Sequence, residues 1–423
     1  MKRWFFVARH LMLFTKNWME GFTMRFLSAN WKMVLVLIAT VAMLFSGLDT
    51  SRAGEAKVES LEAKDDVSLK NEIQHAIERG LRWLKTVQDP KGYWSQPDHP
   101  ALSALVLTAY MGEPSGHFKT NPPGYIEKGY EYLLTCVQPD GGIYAKDLPN
   151  YNTAISMMAL VASYKPSYEP ILRNARNYLV GLQGDFDEKG KMDNPYDGGI
   201  GYGSKNPHSD MSNNMYALEA IHYTKFLGND KQADDVELKE LNWPAVVKFI
   251  ERCQNLPGVN DQAWASDDPQ NKGGFIYFPG DSKAGEMQLP SGKTALRSYG
   301  SISYAGLLSY IYADLKQDDP RVKAVYEWLG RNYTLDENPG MDTQGLFYYY
   351  HTMAKALSAY GAKNLSLEGG KEVNWKRDLT LRLLNLQQAD GSWVNENGRW
   401  WEKDPVLVTA YATMTLEILY RGM

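Results

Sequence analysis

The stretch LTLRLLNLQQADGSWVNENGRW, Leu379 to Trp400, followed by DPVLVTAYATMTLEILY, Asp404 to Tyr420, decides the fold. It has three parts: a helical segment ending near a Gln, a Gly-containing turn with an aromatic residue, and a second helical segment rich in small residues. The same order returns upstream. IERGLRWLKTVQDPKGYWSQ (77–96) leads into PALSALVLTAYMG (100–112), and GYEYLLTCVQPDGGIYAKD (129–147) into NTAISMMALVASY (152–164). ARNYLVGLQ and GGIGYGSKNP precede SDMSNNMYALEAIHY (209–223). In the fourth copy VVKFIERCQN, GGFIYFPGD and SYGSISYAGLLSYIYA (298–313) are separated by two excursions; VYEWLGRNY, NPGMDTQG and LFYYYHTMAKALSAYG (346–361) form the fifth.

Within each copy the apolar residues fall at helical spacing, as at Ile77, Leu81 and Leu84 and again at Leu102, Leu105 and Ala109. The first helix of each pair is longer and more charged; the second is rich in Ala, Ser, Gly, Tyr and Met. Small residues let helices approach closely, so the second helices are expected in an inner ring and the first in an outer one. The turn glycines Gly141-Gly142, Gly198-Gly199 and Gly273-Gly274 suit positions that need positive φ, and the following aromatic can pin the turn to the core. A stacked all-α array of six pairs follows, each unit burying its neighbour's face. Period alone does not say whether the array closes.

The chain has 423 residues, 44% hydrophobic and 22% charged, which is globular composition. Its first 53 residues differ: a Lys/Arg-flavoured stretch runs to Lys32, MVLVLIATVAMLFSG spans Met33 to Gly47, and Ser51-Arg52-Ala53 precedes a polar segment. This is a signal-peptide pattern with a cut expected after Ala53, and Met24 offers an alternative start. The apolar run is shorter than the ~20 residues a spanning helix needs, so export to the periplasm or medium is expected, with a signal-anchored membrane protein as the alternative. Residues 54–70 read as a polar tail or linker and 71–423 as the helical array. Setting aside the seven basic and two acidic residues of 1–53 leaves 38 basic against 48 acidic, a balance that argues against a nucleic-acid or anionic-membrane footprint. Cys136 and Cys253 are read as buried thiols rather than a bridge.

The Q…DGG-aromatic or Q…DGSW turn followed by an Ala-rich helix resembles the repeat shared by squalene cyclases and protein prenyltransferase beta subunits. QADGSW (Gln388 to Trp393), GGFIYF and YAGLLSYIYA (Tyr304 to Ala313) carry the resemblance, which covers about 350 residues in six copies. It implies an α/α toroid, with the inner-helix N-termini around one mouth of a cavity that takes isoprenoid substrates in the family's enzymes. It does not imply their chemistry. Zinc-dependent members use an Asp and a Cys at one inner-helix start and a His at the next. Tyr350-His351-Thr352 resembles the His part, but Arg297 and Tyr299 stand where the Asp and Cys should, and a cation and a phenol do not replace a carboxylate and a thiolate on Zn²⁺. No metal or other cofactor is expected. Class II cyclases need a crowded DxDD acid; the matching helix start here is Asp210-Met211-Ser212-Asn213-Asn214, which keeps the first Asp and lacks the proton donor. DFDE (Asp185 to Glu188) reads as a solvated loop.

In such a toroid the mouth would collect Asp210, His351 and Asp404 as candidate catalytic residues, and His99, Asn152, Asn213, Tyr299, Ser301, Tyr349 and Tyr350 as ligand contacts. Asn150 and His208 stand at the same helix starts. Helix capping is the competing role for Asp210 and for Asp404, which precedes Pro405. Lys355, one turn beyond His351, disfavours protonation of that imidazole. The function these readings support is an exported toroid binding an apolar, isoprenoid-like molecule or a protein partner in its cavity, without either family apparatus. The alternatives are a terpenoid cyclase or transferase with a different acid, and an interaction scaffold or glycan-active toroid. The last draws on loop tryptophans 94, 264, 393, 400 and 401 and on an Asp210/Asp404 carboxylate pair. Oligomeric state is not legible.

Overall fold

The structure, a computed structural model, describes residues 50–203, 208–229 and 237–423, with side chains from residue 66 on, Asn229 excepted. Apart from 50–53, the expected export segment lies outside the described residues. The chain divides into units 1–72 and 73–423. In the first, the 54–70 segment has helical backbone, within a helix α1 (Thr50–Thr86) that contributes to the second unit from Ile73 onward. No described helix is long and apolar enough to cross a membrane.

In the 73–423 unit, outer helices α1, α3 (Gly124–Thr135), α5 (Glu169–Val180), α7 (Trp243–Arg252), α9 (Pro320–Arg331) and α11 (Trp375–Leu386) alternate with inner ones. The inner helices are α2 (Pro100–Gly112), α4 (Pro149–Ala162), α6 (Met211–Tyr223), α8 (Gly300–Tyr312), α10 (Leu346–Tyr360) and α12 (Pro405–Gly422); against the expectation from sequence, they are the longer member of every pair after the first. Each inner helix packs on the next, and α12 packs back on α2, so the ring is closed. The fold is therefore all-α, six helix pairs in an α/α toroid. Inner helices such as α8 are buried around nearly their whole circumference, whereas outer helices such as α7 keep one polar face, as concentric layers require. Two short hairpins, β1 (Glu286–Gln288) with β2 (Thr294–Leu296) and β3 (Leu365–Ser366) with β4 (Glu372–Val373), decorate the turns. Cys136 and Cys253 are buried free thiols.

The repeat motif has a specific physical job. Gly92, Gly141, Gly198, Gly273 and Gly391 all have positive φ, and each lies against a main-chain carbonyl of the following outer helix, at Lys128, Asn174, Ala245, Ala324 and Arg79 respectively. Glycine is needed twice over at these turns, for conformation and for close approach. In four of the turns a Gln then clamps both sides, whereas Gln138 of the second turn donates only within its own turn, to the Cys136 and Tyr144 carbonyls. Gln88 Nε2 donates to the Gly92 and Tyr125 carbonyls, Gln183 Nε2 to those of Gly198 and Asn242, and Gln254 Nε2 to those of Gly273 and Arg321. Gln387 Nε2 donates to the Gly391 and Ala76 carbonyls and so joins the last pair to the first. The small hydroxyls of the inner helices take the turn's own N–H groups: Ser103 from Trp94, Thr153 from Ile143, Ser303 from Phe275 and Thr409 from Trp393, at 2.8–3.0 Å. The fifth turn lacks the Gln and substitutes buried Asn338, which accepts from Ser301 N and donates to the Gln344 carbonyl.

Gln254 is fully buried and also accepts the Tyr310 hydroxyl at 2.9 Å. Gln254→Ala leaves two carbonyls and a phenol without partners, so a loss of about 2 kcal/mol is expected, read from the urea midpoint. An unchanged midpoint would show that water replaces the clamp.

Candidate functional site

All six inner helices begin on one face. The Asn152 carboxamide at the start of α4 accepts from Ala101 N at the start of α2, and Asn150 donates to the carbonyls of Gly201 and Asn213 at 2.8 and 3.1 Å. At the start of α10 the Phe347 and Tyr348 N–H groups donate to the Glu402 carboxylate at 3.2 and 2.8 Å. Burial pushes the Glu402 carboxyl up, against the hydrogen bonds it receives.

Asp210 stands at the N-cap of α6 with no exposed surface. Its Oδ1 accepts from Asn213 N at 2.9 Å and its Oδ2 from Asn213 Nδ2 at 2.8 Å. Asp210 is both a cap and more than a cap, because the Tyr277 phenol lies within electrostatic reach of it. The Met211 N–H donates to the Tyr277 carbonyl at 2.9 Å, which fixes that tyrosine over the helix start. Tyr277 OH in turn lies 3.3 Å from Tyr202 OH. Burial raises the Asp210 carboxyl from 3.8 to about 6, with the Asn213 hydrogen bonds and the neighbouring His208 and Tyr277 opposing the rise. A buried carboxyl raised toward neutrality thus stands near two phenols, Tyr277 and the half-buried Tyr202, whose hydroxyls meet each other.

Below this lies a wall of tyrosines from different inner helices. Tyr151 (α4) meets Tyr216 (α6) edge to face at 5.3 Å, Tyr216 meets Tyr348 (α10) at 6.2 Å, and Tyr348 meets Tyr411 (α12) at 6.1 Å. The Ser212 and Tyr348 hydroxyls are 3.4 Å apart. Tyr216 and Tyr411 come from helices on opposite sides of the ring, and their hydroxyls are 3.1 Å apart, so side chains cross the axis at this level. A second crossing joins Lys355 of α10 to Glu219 of α6 at 2.5 Å.

The three candidate catalytic residues engage separate partners, and among the described residues no hydrogen bond joins any two of them. His351 is buried inside the ring, stacked on Tyr411 at 5.3 Å with Thr415 Oγ1 at 3.5 Å. Burial and then Lys355 hold its pKa well below the usual histidine value, so it is a neutral imidazole. Asp404 caps α12 through Val406 N and accepts the Ser95 hydroxyl. Of the ligand candidates, Tyr299 is buried at the start of α8, within electrostatic reach of Asp210 and Tyr348. Ser301 is engaged with Asn338, and His99 sits edge-on to Trp401 at 4.4 Å. Tyr349 and Tyr350 turn outward and donate to the carbonyls of Thr334 and Leu335 at 2.8 and 2.5 Å. Tyr348, not singled out from sequence, is the member of that triplet in the tyrosine wall. Tyr202 and Tyr277 were also missed, although each follows its Gly-Gly pair at the same spacing. Among the described residues no three His, Cys, Asp or Glu side chains converge as a metal set.

No protein-family model matches the chain, and no curated protein is similar to it in sequence. Among solved structures it is similar to the type II terpene cyclase MstE from Scytonema in complex with geranylgeranyl dihydroxybenzoate, at 12% identity and a TM-score of 0.47, covering 84% of this chain and 100% of that one. A variant of the same cyclase in complex with merosterolic acid A gives 12% identity, a TM-score of 0.49 and coverage of 84% and 99%. A GH76 alpha-mannanase from Bacteroides thetaiotaomicron gives 11% identity, a TM-score of 0.49 and coverage of 82% and 95%. At this distance no residue role transfers. The α/α toroid assignment stands on the closed packing of the inner ring itself.

Proposed function

We propose that this α/α toroid is a ligand-binding protein whose site is the tyrosine-walled mouth, with Asp210 as its proton-exchanging group. The observation that carries the reading is the buried Asp210 carboxyl within electrostatic reach of Tyr277, whose hydroxyl lies 3.3 Å from that of the half-buried Tyr202 beside other half-buried tyrosines. Phenol rings offer apolar faces, and their hydroxyls offer hydrogen bonds. A molecule with an apolar, isoprenoid-like body and one oxygen function matches both. The crossings at Tyr216–Tyr411 and Lys355–Glu219 keep the ligand near the mouth rather than along the full axis.

The same chemistry favours binding over cyclisation. An acid that titrates near 6 exchanges protons with ligand oxygens or nitrogens at neutral pH, whereas an alkene requires a far stronger donor. Export belongs to this proposal as well, resting on the apolar Met33–Gly47 stretch and the small residues at Ser51 and Ala53. Solvent extraction of the purified protein followed by mass spectrometry should release an apolar small molecule, and farnesol should raise the thermal midpoint of wild type but not of Tyr348→Ala. Recovery of no such molecule, together with no response to farnesol or geranylgeraniol, would sink the reading.

Asp210 also gives a pH signature. Its folded pKa lies above the ordinary value, so ionisation costs more in the fold: the stabilisation is complete below about pH 4 and is lost as pH rises through about 6. The difference in unfolding free energy between wild type and Asp210→Asn should shift by on the order of 2 kcal/mol between pH 4 and pH 7. A difference that does not vary with pH would mean that Asp210 is hydrated and ordinary.

A further inference from the structure

A cleft of about 380 Å³, lined by none of the wall tyrosines, is bounded by the fourth-repeat excursions and the C-terminal end of α9. Arg297 and Arg331 both line it, as does Glu368. Among the described residues the Arg297 guanidinium has no hydrogen-bond or ion-pair partner, although by resemblance it stands where the zinc-dependent members have their Asp. The Arg331 guanidinium is anchored by one bond, Nη2 to the Lys272 carbonyl at 2.7 Å, which leaves its other donors free.

The cleft is built on fixed supports. Buried Trp328 donates its indole N–H to the Gln270 carbonyl at 2.8 Å. Asn271 accepts from Ser298 N at 2.8 Å through its side chain, and its carbonyl takes the Ser298 hydroxyl at 2.9 Å. The segment that carries Arg297 is thereby locked to the segment that holds Arg331. Ring closure explains neither the length of the excursion nor two arginines lining one cleft in a chain of net charge −5.

We propose that this cleft is a second binding site, for the carboxylate of a small, planar, singly charged molecule held between Arg297 and Arg331. A guanidinium presents a planar fork that matches the two oxygens of a carboxylate. Two arginines and Glu368 leave one net positive charge, which suits a monoanion better than a dianionic phosphate. The cleft shares no lining residue with the tyrosine wall or with Asp210, so it stands or falls separately from the proposal for Asp210.

The test is isothermal titration of the full protein with benzoate at low ionic strength, with inorganic phosphate titrated in parallel. Benzoate is expected to bind saturably, at least tenfold more weakly to Arg297→Gln and to Arg331→Gln, and unchanged to Lys91→Gln on a distant exposed loop. Glu368→Gln should improve phosphate relative to benzoate. Thermal midpoints of both arginine variants equal to wild type would confirm that lost binding is not lost folding. Non-saturable heats, equal binding by Arg297→Gln and Lys91→Gln, or a wild-type preference for phosphate would overturn the assignment.

Discussion

Gly198→Ala is expected to destabilise the protein by roughly 2–5 kcal/mol, the sum of a left-handed backbone penalty of about 1–2 and an overpacking cost of about 1–3. Gly198 has φ of 86°, and a Cβ there would run into the Ala245 carbonyl group on α7. Neither partner can yield cheaply, since both are main chain. Gly116→Ala is the matched control, because Gly116 also has positive φ, at 72°, but a Cβ would meet nothing within 4 Å. It should lose only about 1 kcal/mol. Equal losses in urea titrations would show that conformation alone, and not the seating of the turn on the next helix, makes these glycines necessary.

Lys355→Met should cost about 3–5 kcal/mol, because it leaves the buried Glu219 carboxylate inside the ring without its cation. Adding Glu219→Leu should recover most of that loss, since paired apolar groups of similar size suit such a place. The informative quantity is the coupling from the double-mutant cycle. A single-variant loss near zero with coupling below about 0.5 kcal/mol would mean that water fills this level of the ring and screens both groups.

The turns were legible because they are local: Gly-Gly followed by an aromatic announces positive φ and an anchoring side chain within a few residues. Closure was not, since the contacts that decide it join Gln387 to Ala76 and α12 to α2 across most of the chain. In the site, helix phase separated what could be read from what could not. LFYYYH presents three tyrosines in a row, and each residue turns about 100° from the last, so only Tyr348 enters the tyrosine wall. Tyr349 and Tyr350 reach outward, and His351 stacks on Tyr411 deeper in the ring. Asp210 was recognised as cap and candidate alike. Its neighbour Tyr277 was hidden because their approach depends on how a turn from the fourth repeat drapes over a helix of the third, where Met211 N–H donates to the Tyr277 carbonyl.

The way each turn rests on the following outer helix, with Gly391 resting on Arg79, bears on how such a molecule fails and how it varies. An open solenoid has two terminal units, which fray first and can be lengthened or shortened one unit at a time. A closed ring has seams and no ends. Loss of any pair strands neighbours on both sides, so damage spreads in two directions. The number of pairs is likewise quantised, because a seventh could enter only by changing every crossing angle at once. Variation is then channelled into the turns, as in the fourth repeat, where two excursions add surface without adding a pair.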